Sequence, residues 1–493
     1  MAKTPKFPPH PYLGSNPDSP KDECGLFGIY GMSDAATLTA LGMHALQHRG
    51  QESGGIVAFD ENQFNSHRAI GLVGDNFNSP EVMQGLNGSM AVGHVRYSTS
   101  GDTALRNVQP LFSEFKFGGL AMAHNGNLTN AYTLRKKLID RGCIFQSTSD
   151  TETIIHLIAI SEYSRVIERI TDALSHVEGA YSLIAMTQKK LIGLRDPHGV
   201  RPLVIGKLGD SYILTSETCA LDIIDAEYVR DVEPGEIVMI DEDGLTSVKP
   251  FKKRPSRFCI FEYIYFARPD SIMEDKNVYA CRKSIGAEMA REHAIDADLI
   301  VPIPDSGVPA AIGYSEESKI PFELGIIRNH YVGRTFIEPS DQIRHLGVRL
   351  KHNANAAYLK GKRVILVDDS IVRGTTSLKI VEMVRNAGAS EVHMRISSPP
   401  TAYSCFYGID TPERSQLMAS NMNLEEMRKH IGVDSLAFIS MDGLYRAVGE
   451  LKRNDDPQYC DACFTGEYPI RLTDHQDQTE PNLLTLLKEP NES

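Results

Sequence analysis

Apolar and polar positions alternate in short runs from Cys24 to about Asp241, and the period of two predicts strands. "GGIVAFD", "SMAVGHVRYS", "GLAMAH", "GAYSLIAM" and "DSYILTS" are such runs. Between them, Asp34 to Gln47 carries Leu38, Leu41, Ala45 and Leu46 at helical spacing, and a second helix is expected from about Asn130 to Arg141, stopped by Gly142. The pattern is layered α+β. "DEDGLTSVKPFKKRPSRF" is charged and proline-broken and reads as a linker. Beyond it the period changes: "ACRKSIGAEMAREH" is helical, "LIVPIP" and "KRVILV" are buried strands, "TSLKIVEMVRNAG" is a helix closed by Gly388, and "EVHMRISS" is a further strand. Strands alternating with helices imply a parallel doubly wound sheet with ligands at the carboxyl ends of its strands. The expected domains are 24–250 and 251–473, preceded by segment 1–23 and followed by a polar tail, 474–493.

A chain of 493 residues exceeds one ordinary core, which agrees with that division. No run of 18 apolar residues occurs, so no membrane partner is expected. The first 23 residues have prolines and charges but no apolar stretch, which excludes a secretory signal and suits a removable pro-segment and a ragged terminus equally. Net charge is −13, so non-specific binding to nucleic acid is excluded and any anionic ligand needs a local pocket. Eight dispersed cysteines without a secretory signal point to a reducing, cytoplasmic compartment, and so to thiolate chemistry or metal ligation.

The most specific string is "VILVDDSIVRGTT", Val364 to Thr376: a buried strand ending in two acids, then Ser, Arg, Gly and two Thr before a helix. A loop entering a helix N-terminus offers free N–H groups and a positive dipole end to an anion. Asp368 and Asp369 alone would be ordinary strand-end acids; the whole string resembles the fingerprint of type I phosphoribosyltransferases, which bind phosphoribosyl pyrophosphate (PRPP). That resemblance places Asp368 and Asp369 on ribose hydroxyls or magnesium, and Ser370, Arg373, Gly374, Thr375 and Thr376 around the 5-phosphate. "VPIPDSGVPAAIGY" makes a second strand-to-helix step whose Pro304–Gly307 loop can cradle pyrophosphate, with Ser306 a further magnesium ligand. The long basic stretch His330 to Lys351 reads as a lid carrying Arg334, Arg344, Arg349 and Lys351.

In "SPKDECGLFGIYG", Cys24 has a bland reading as a buried residue entering a strand, and a sharper one as an N-terminal nucleophile exposed by cleavage after Glu23. An N-terminal nucleophile uses its own α-amine as base, with a reference pKa near 8, which explains why a leader would have to leave. Arg96 in "HVRYST" offers a fork for a carboxylate, Asn125 and Gly126 in "AHNGNLTN" are expected in a tight turn as oxyanion donors, and Asp150 opens a helix where Ser149 and Glu152 spell a capping box. "LQHRGQESGG" is a further polar, glycine-rich loop. Together with "CGLFGIYG" these strings resemble the class II glutamine amidotransferase domain, which implies that Cys24 attacks the glutamine side-chain amide, Arg96 binds its α-carboxylate, Asp150 its α-ammonium, and Asn125 with Gly126 forms the oxyanion hole.

Cys460-x-x-Cys463 by itself is equally a redox pair, half a zinc site or nothing; with Cys259 and Cys405 it makes four thiolates that suit zinc or an iron–sulfur cluster alike. From about residue 24 to 470 the chain is similar to the amidophosphoribosyltransferase family, one branch of which has a leader peptide and a structural [4Fe–4S] cluster with cysteines in these contexts. The resemblance implies an α+β N-terminal-nucleophile (αββα) glutaminase domain followed by an α/β type I phosphoribosyltransferase domain. It also implies glutamine and PRPP as substrates, purine nucleotides as feedback inhibitors, one Mg2+ and one [4Fe–4S] cluster per subunit, and a homotetramer. Cys143, Cys219 and Cys281 remain as packing residues. Two other readings stand beside this one: a glutamine amidotransferase acting on another sugar phosphate, and a non-catalytic PRPP or nucleotide sensor.

Overall fold

Two antiparallel sheets lie face to face in the N-terminal half of the chain. The computed structural model describes residues 24–97, 104–329 and 352–475. The first sheet has seven strands in the order Glu227–Asp231, Val204–Leu208, Ser211–Thr215, β1 (Gly25–Tyr30), β2 (Met90–Arg96), Ser53–Phe59 and Phe64–Ile70. The second has six: Leu111–Phe115, β3 (Gly118–Leu128), β4 (Gly179–Thr187), Leu191–Arg195, Ile237–Asp241 and Gly244–Val248. Side chains on β1 alternate between two cores as the pleat requires. Leu26 joins the layer between the sheets, with Val57, Val92, Ala123 and Ile184, while Phe27 and Ile29 face outward under helix α1 (Ala35–Ala45). The outer face of the second sheet is covered by α2 (Ala131–Asp140), α3 (Asp150–Ile160) and Val166–Ser175. Helix, sheet, sheet, helix is the layering expected.

Two local expectations are corrected. The buried face of α1 is Thr39, Gly42 and Met43, and Leu41 is 41% exposed. The ring of Phe27 lies so close that a Cβ on Gly42 would sit 2.2 Å from it, so the helix docks through its smallest residue and turns Leu41 aside, while Leu38, Ala45 and Leu46 pack inward as expected. The supposed linker is also shorter: Gly244–Val248 pairs with Ile237–Asp241 as a hairpin, leaving only 249–257 irregular.

In the C-terminal half, β5 (Leu299–Pro302), β6 (Arg363–Asp368), β7 (Glu391–Ile396) and β8 (Ser435–Phe438) form a parallel sheet in chain order. Helices α4 (Val278–Glu292) and α5 (Val308–Ser318) pack on one face, and α6 (Thr375–Asn386) on the other. The lid stretch 330–351, segment 1–23 and the tail beyond 475 lie outside the described residues.

Candidate active site

Cys24 immediately precedes β1, with its thiol 8% exposed and 3.7 Å from the Tyr97 carbonyl. Burial pushes the thiol up to about 11; Tyr97, Arg96 and Arg49 oppose this, and Asp150 reinforces it. Antiparallel pairing of β1 with β2 sets Gly25 opposite Val95, so Arg96 at the end of β2 is delivered beside Cys24. Arg96 is itself 4% exposed. Asp150, the first residue of α3, is buried as well: Oδ2 accepts the Leu128 N–H at 3.0 Å and Oδ1 lies 3.5 Å from His124 Nδ1. Burial would raise its carboxyl, but His124 and the N–H groups of Leu128 and Thr151 more than offset that and hold it below the ordinary carboxylate value. The expected capping box does not form. Ser149 accepts from Thr151 N, whereas Glu152 turns back to the N–H groups of Gln146 and Ser147.

The expected turn at Asn125–Gly126 is a correction too. Both residues lie within β3, opposite Ser182 and Tyr181 of β4, and the strand continues to Leu128. Gly126 has φ +138°, and a Cβ there would be 2.1 Å from the Ala180 carbonyl oxygen, so a glycine keeps the strand in register where a turn would have broken it. Asn125 is completely buried, and neither its Oδ1 nor its Nδ2 has a hydrogen-bond partner among the described residues. A buried amide left unpaired costs about 1–3 kcal/mol, which marks it as a group held for a ligand. His94 Nε2, 3.2 Å from the His124 carbonyl, ties β2 to β3 just before Asn125.

Sequence patterns missed Arg49. It follows α1 in the loop "LQHRGQESGG" and is 1% exposed. Its Nε donates to the Cys24 carbonyl at 3.3 Å, and its terminal nitrogens pair with Glu217 and Glu262, both fully buried. The signal was a lone arginine amid glycines, and nothing local announces two acids so distant in the chain.

At the C-terminal sheet, β6 delivers Asp368, Asp369 and Ser370, each under 10% exposed. Asp369 N–H donates to Asp368 Oδ1 at 3.0 Å and Ser370 Oγ to Asp369 Oδ2 at 2.6 Å. Gly374, at φ +81°, is the N-cap of α6, so Thr375 and Thr376 form its first turn, and Arg373 reaches Gln416 at 2.6 Å. The Pro304–Gly307 loop lies alongside: a Cβ on Gly307 would be 2.3 Å from the Val367 carbonyl oxygen. Ser306 and the phosphate-type loop therefore share one edge, the carboxyl end of the parallel strands. Asp305 pairs with Arg328.

Cys259 and Cys460 are opposite one another in a short parallel bridge. Cys259 and Cys460 belong to one apolar cluster against which Cys405 and Cys463 pack, and Cys463 is driven well above the ordinary thiol value by burial and then by the other three. Burial pushes Cys460 to about 12. All eight cysteines are free. Among the described residues no three His, Cys, Asp or Glu side chains converge closely enough to hold a single metal ion, and no helix is long and apolar enough to cross a membrane.

Comparison with known proteins divides the chain where the fold does. A glutamine amidotransferase domain model matches residues 94–222 and a phosphoribosyl transferase domain model matches 275–397. The class is thus a glutamine amidotransferase joined to a phosphoribosyltransferase. The chain is 57% identical over 477 residues to the amidophosphoribosyltransferase of Rhizobium etli, covering 95% of this chain and 96% of that protein. The solved B. subtilis glutamine PRPP amidotransferase, complexed with ADP and GMP, superposes with a TM-score of 0.87 at 47% identity, over 93% of this chain and 100% of that one. A structure described as the allosteric regulatory enzyme of purine biosynthesis gives 0.89 at 47% identity, over 94% and 99%. The chain belongs to the amidophosphoribosyltransferase family. It converts PRPP, glutamine and water to 5-phosphoribosylamine, glutamate and pyrophosphate, the first step of de novo purine synthesis, and the sensor and other-sugar readings fall away.

Proposed function

We propose that the residues assembled around Cys24 and Asp368 carry out this reaction in two chambers, domain 24–250 making ammonia and domain 251–473 using it. Removal of residues 1–23 would free the Cys24 α-amine, which takes the thiol proton as Sγ attacks the glutamine amide carbon. Arg96 binds the α-carboxylate and Asp150 the α-ammonium. The Asn125 amide and Gly126 N–H stabilise the oxyanion of the tetrahedral adduct. Collapse of the adduct expels ammonia and leaves a thioester, which water hydrolyses to glutamate and free thiol. Ammonia then attacks C1 of PRPP, held by Asp368, Asp369 and the Ser370–Thr376 loop, and pyrophosphate departs. Confinement keeps the ammonia unprotonated and at high effective concentration.

The observation that carries this reading is the burial of Cys24 beside Arg96 at the end of β2, with Arg49 on its backbone carbonyl, together with the buried Asn125 amide of β3 that has no hydrogen-bond partner among the described residues.

Magnesium would be held by Asp368, Asp369 and Ser306, and two buried acids at a strand end fit the usual case in which substrate phosphates complete the coordination. Bound there, it would neutralise the pyrophosphate leaving group. The four free thiols lie in one apolar cluster with Phe261 and Phe464, and four thiolates in such surroundings suit a [4Fe–4S] cluster. Together with residues 1–23 read as a removable leader, this supports the iron–sulfur branch as the proposed one. Purine nucleotides, as ADP and GMP in the B. subtilis structure, are the proposed feedback inhibitors, and a cytoplasmic homotetramer is the proposed form.

Intact mass of the purified protein under denaturing conditions tests the nucleophile. A chain starting at Cys24 with glutaminase activity supports the scheme. A chain still carrying residues 1–23 that hydrolyses glutamine rules out the α-amine as base.

A further inference from the structure

The oxyanion strand is held from behind by the other domain. Directly after Asn125 and Gly126, Asn127 donates its Nδ2–H to the Phe406 carbonyl at 3.0 Å. A Cβ on Gly408 would stand 2.9 Å from Gly126 Cα and 3.1 Å from its carbonyl carbon. Gly126 is therefore clasped between Ala180 on one side and Gly408 on the other, with no room for a methyl group on either. The loop that does this is fixed along its length. The Cys405 sulfur accepts the Tyr407 N–H at 3.3 Å, the Tyr407 carbonyl accepts from Arg201 Nε at 2.8 Å, and the Tyr407 hydroxyl donates to the Ile470 carbonyl at 2.7 Å. Beyond it, the next turn of the glutaminase strand is tied down as well, Thr129 Oγ1 donating to the Arg471 carbonyl at 2.6 Å.

We propose that the Phe406–Gly408 loop is a positioning element of the glutaminase, setting the Gly126 peptide and the adjoining Asn125 amide where the oxyanion forms. This rests on the reading of Asn125 and Gly126 as the oxyanion donors. An oxyanion hole works through donors fixed before the charge appears, and small displacements of such groups weaken them steeply. On its other edge β3 is paired by Leu111–Phe115 only as far as Met122, so at Gly126 its own sheet supplies one neighbour, β4. The second face comes from the C-terminal domain. The phosphoribosyl half thus contributes to glutamine chemistry without touching glutamine.

The test uses the full chain and two substrates for the same product. Phosphoribosylamine formation is measured with glutamine and, separately, with free ammonia, which bypasses the glutaminase. Asn127→Ala removes the bond to Phe406 and introduces no clash. It should lower kcat with glutamine by roughly 10-fold, the scale of one hydrogen bond, with KM for glutamine within twofold and the ammonia-dependent rate unchanged. Gly408→Ala should lower glutamine-dependent kcat further. A glutamine-dependent kcat for Asn127→Ala within twofold of the parent overturns the proposal, and so does an equal fall in both rates. Asn125→Ala separates the layers. If it loses the glutamine-dependent rate while Asn127→Ala does not, the brace is wrong and the oxyanion assignment stands; if Asn125→Ala keeps the rate, both are wrong.

Discussion

Arg49 donates its Nε–H to the backbone carbonyl of Cys24 across 3.3 Å, while its other nitrogens are buried against Glu217 and Glu262. The backbone of Cys24, the proposed nucleophile, is thus anchored by a charge that is itself neutralised by Glu217 and Glu262. His48 adds to the pair through Glu217, at 2.7 Å. Glu217 would be raised by burial, but His48 and Arg49 hold it far below its ordinary value.

Breaking such a buried pair from one side strands the remaining carboxylates without compensation. Arg49→Met should therefore lower unfolding free energy by about 3–5 kcal/mol in urea titrations. A loss under about 1 kcal/mol would mean that Glu217 and Glu262 find other partners or become protonated.

Asn125 is the opposite case, a buried amide with no hydrogen-bond partner among the described residues, so its removal breaks no bond that holds the fold. Asn125→Ala should leave the urea midpoint near that of the parent while reducing glutamine-dependent kcat by about 10²–10³-fold. Parallel loss of stability and activity would show that the amide serves packing and not the oxyanion.

Gly374 caps α6 at φ +81°, and a Cβ there would meet Met418 Cε at 2.1 Å. Met418 can swing away, but the left-handed backbone still costs about 1–2 kcal/mol for a non-glycine residue. Gly374→Ala should tilt the first turn of α6 and raise KM for PRPP about tenfold or more, with PRPP-free glutamine hydrolysis unaltered. Steady-state kinetics against PRPP decides; an unchanged KM would remove the loop from phosphate binding.

His94 is buried between the sheets, and burial, assisted by Arg96, pushes its imidazole down to about 3 from an ordinary 6.5. Between those values the unfolded chain binds a proton that the folded chain does not. Stability from this site is therefore complete above pH 6.5 and falls as pH drops toward 3, by up to about 1.4 kcal/mol per pH unit. His94→Gln should flatten the slope of unfolding free energy between pH 4 and 6.5. An identical slope would assign the acid sensitivity to other groups, His393 first among them, since burial holds its imidazole below 6.5 as well.

The string around Asp368–Thr376 was legible because strand, loop and helix start are contiguous, so backbone geometry and phosphate chemistry are specified within one short stretch. Cys24, Arg96, Asn125 and Asp150 were legible for their chemistry, though the setting of Asn125–Gly126 was not. An Asn-Gly pair carries the same turn propensity whether or not a neighbouring strand claims it, and pairing with Ser182 and Tyr181 overrode the local preference. Leu41 was misplaced for a related reason: periodicity finds an apolar face, but the shape of Phe27 selects which residue docks.

The sequence by itself determined the two domain classes, and it singled out Cys24, the Asp368–Thr376 string and the four cysteines as candidates. Tertiary structure alone decided that Arg49 meets Glu217 and Glu262, 168 and 213 positions away, and that Gly126 meets Gly408. Burial of an ion pair and contact between two glycines have no local propensity behind them. They exist only when distant segments are brought to the same place, and the energy that holds them belongs to the packed molecule, not to either segment.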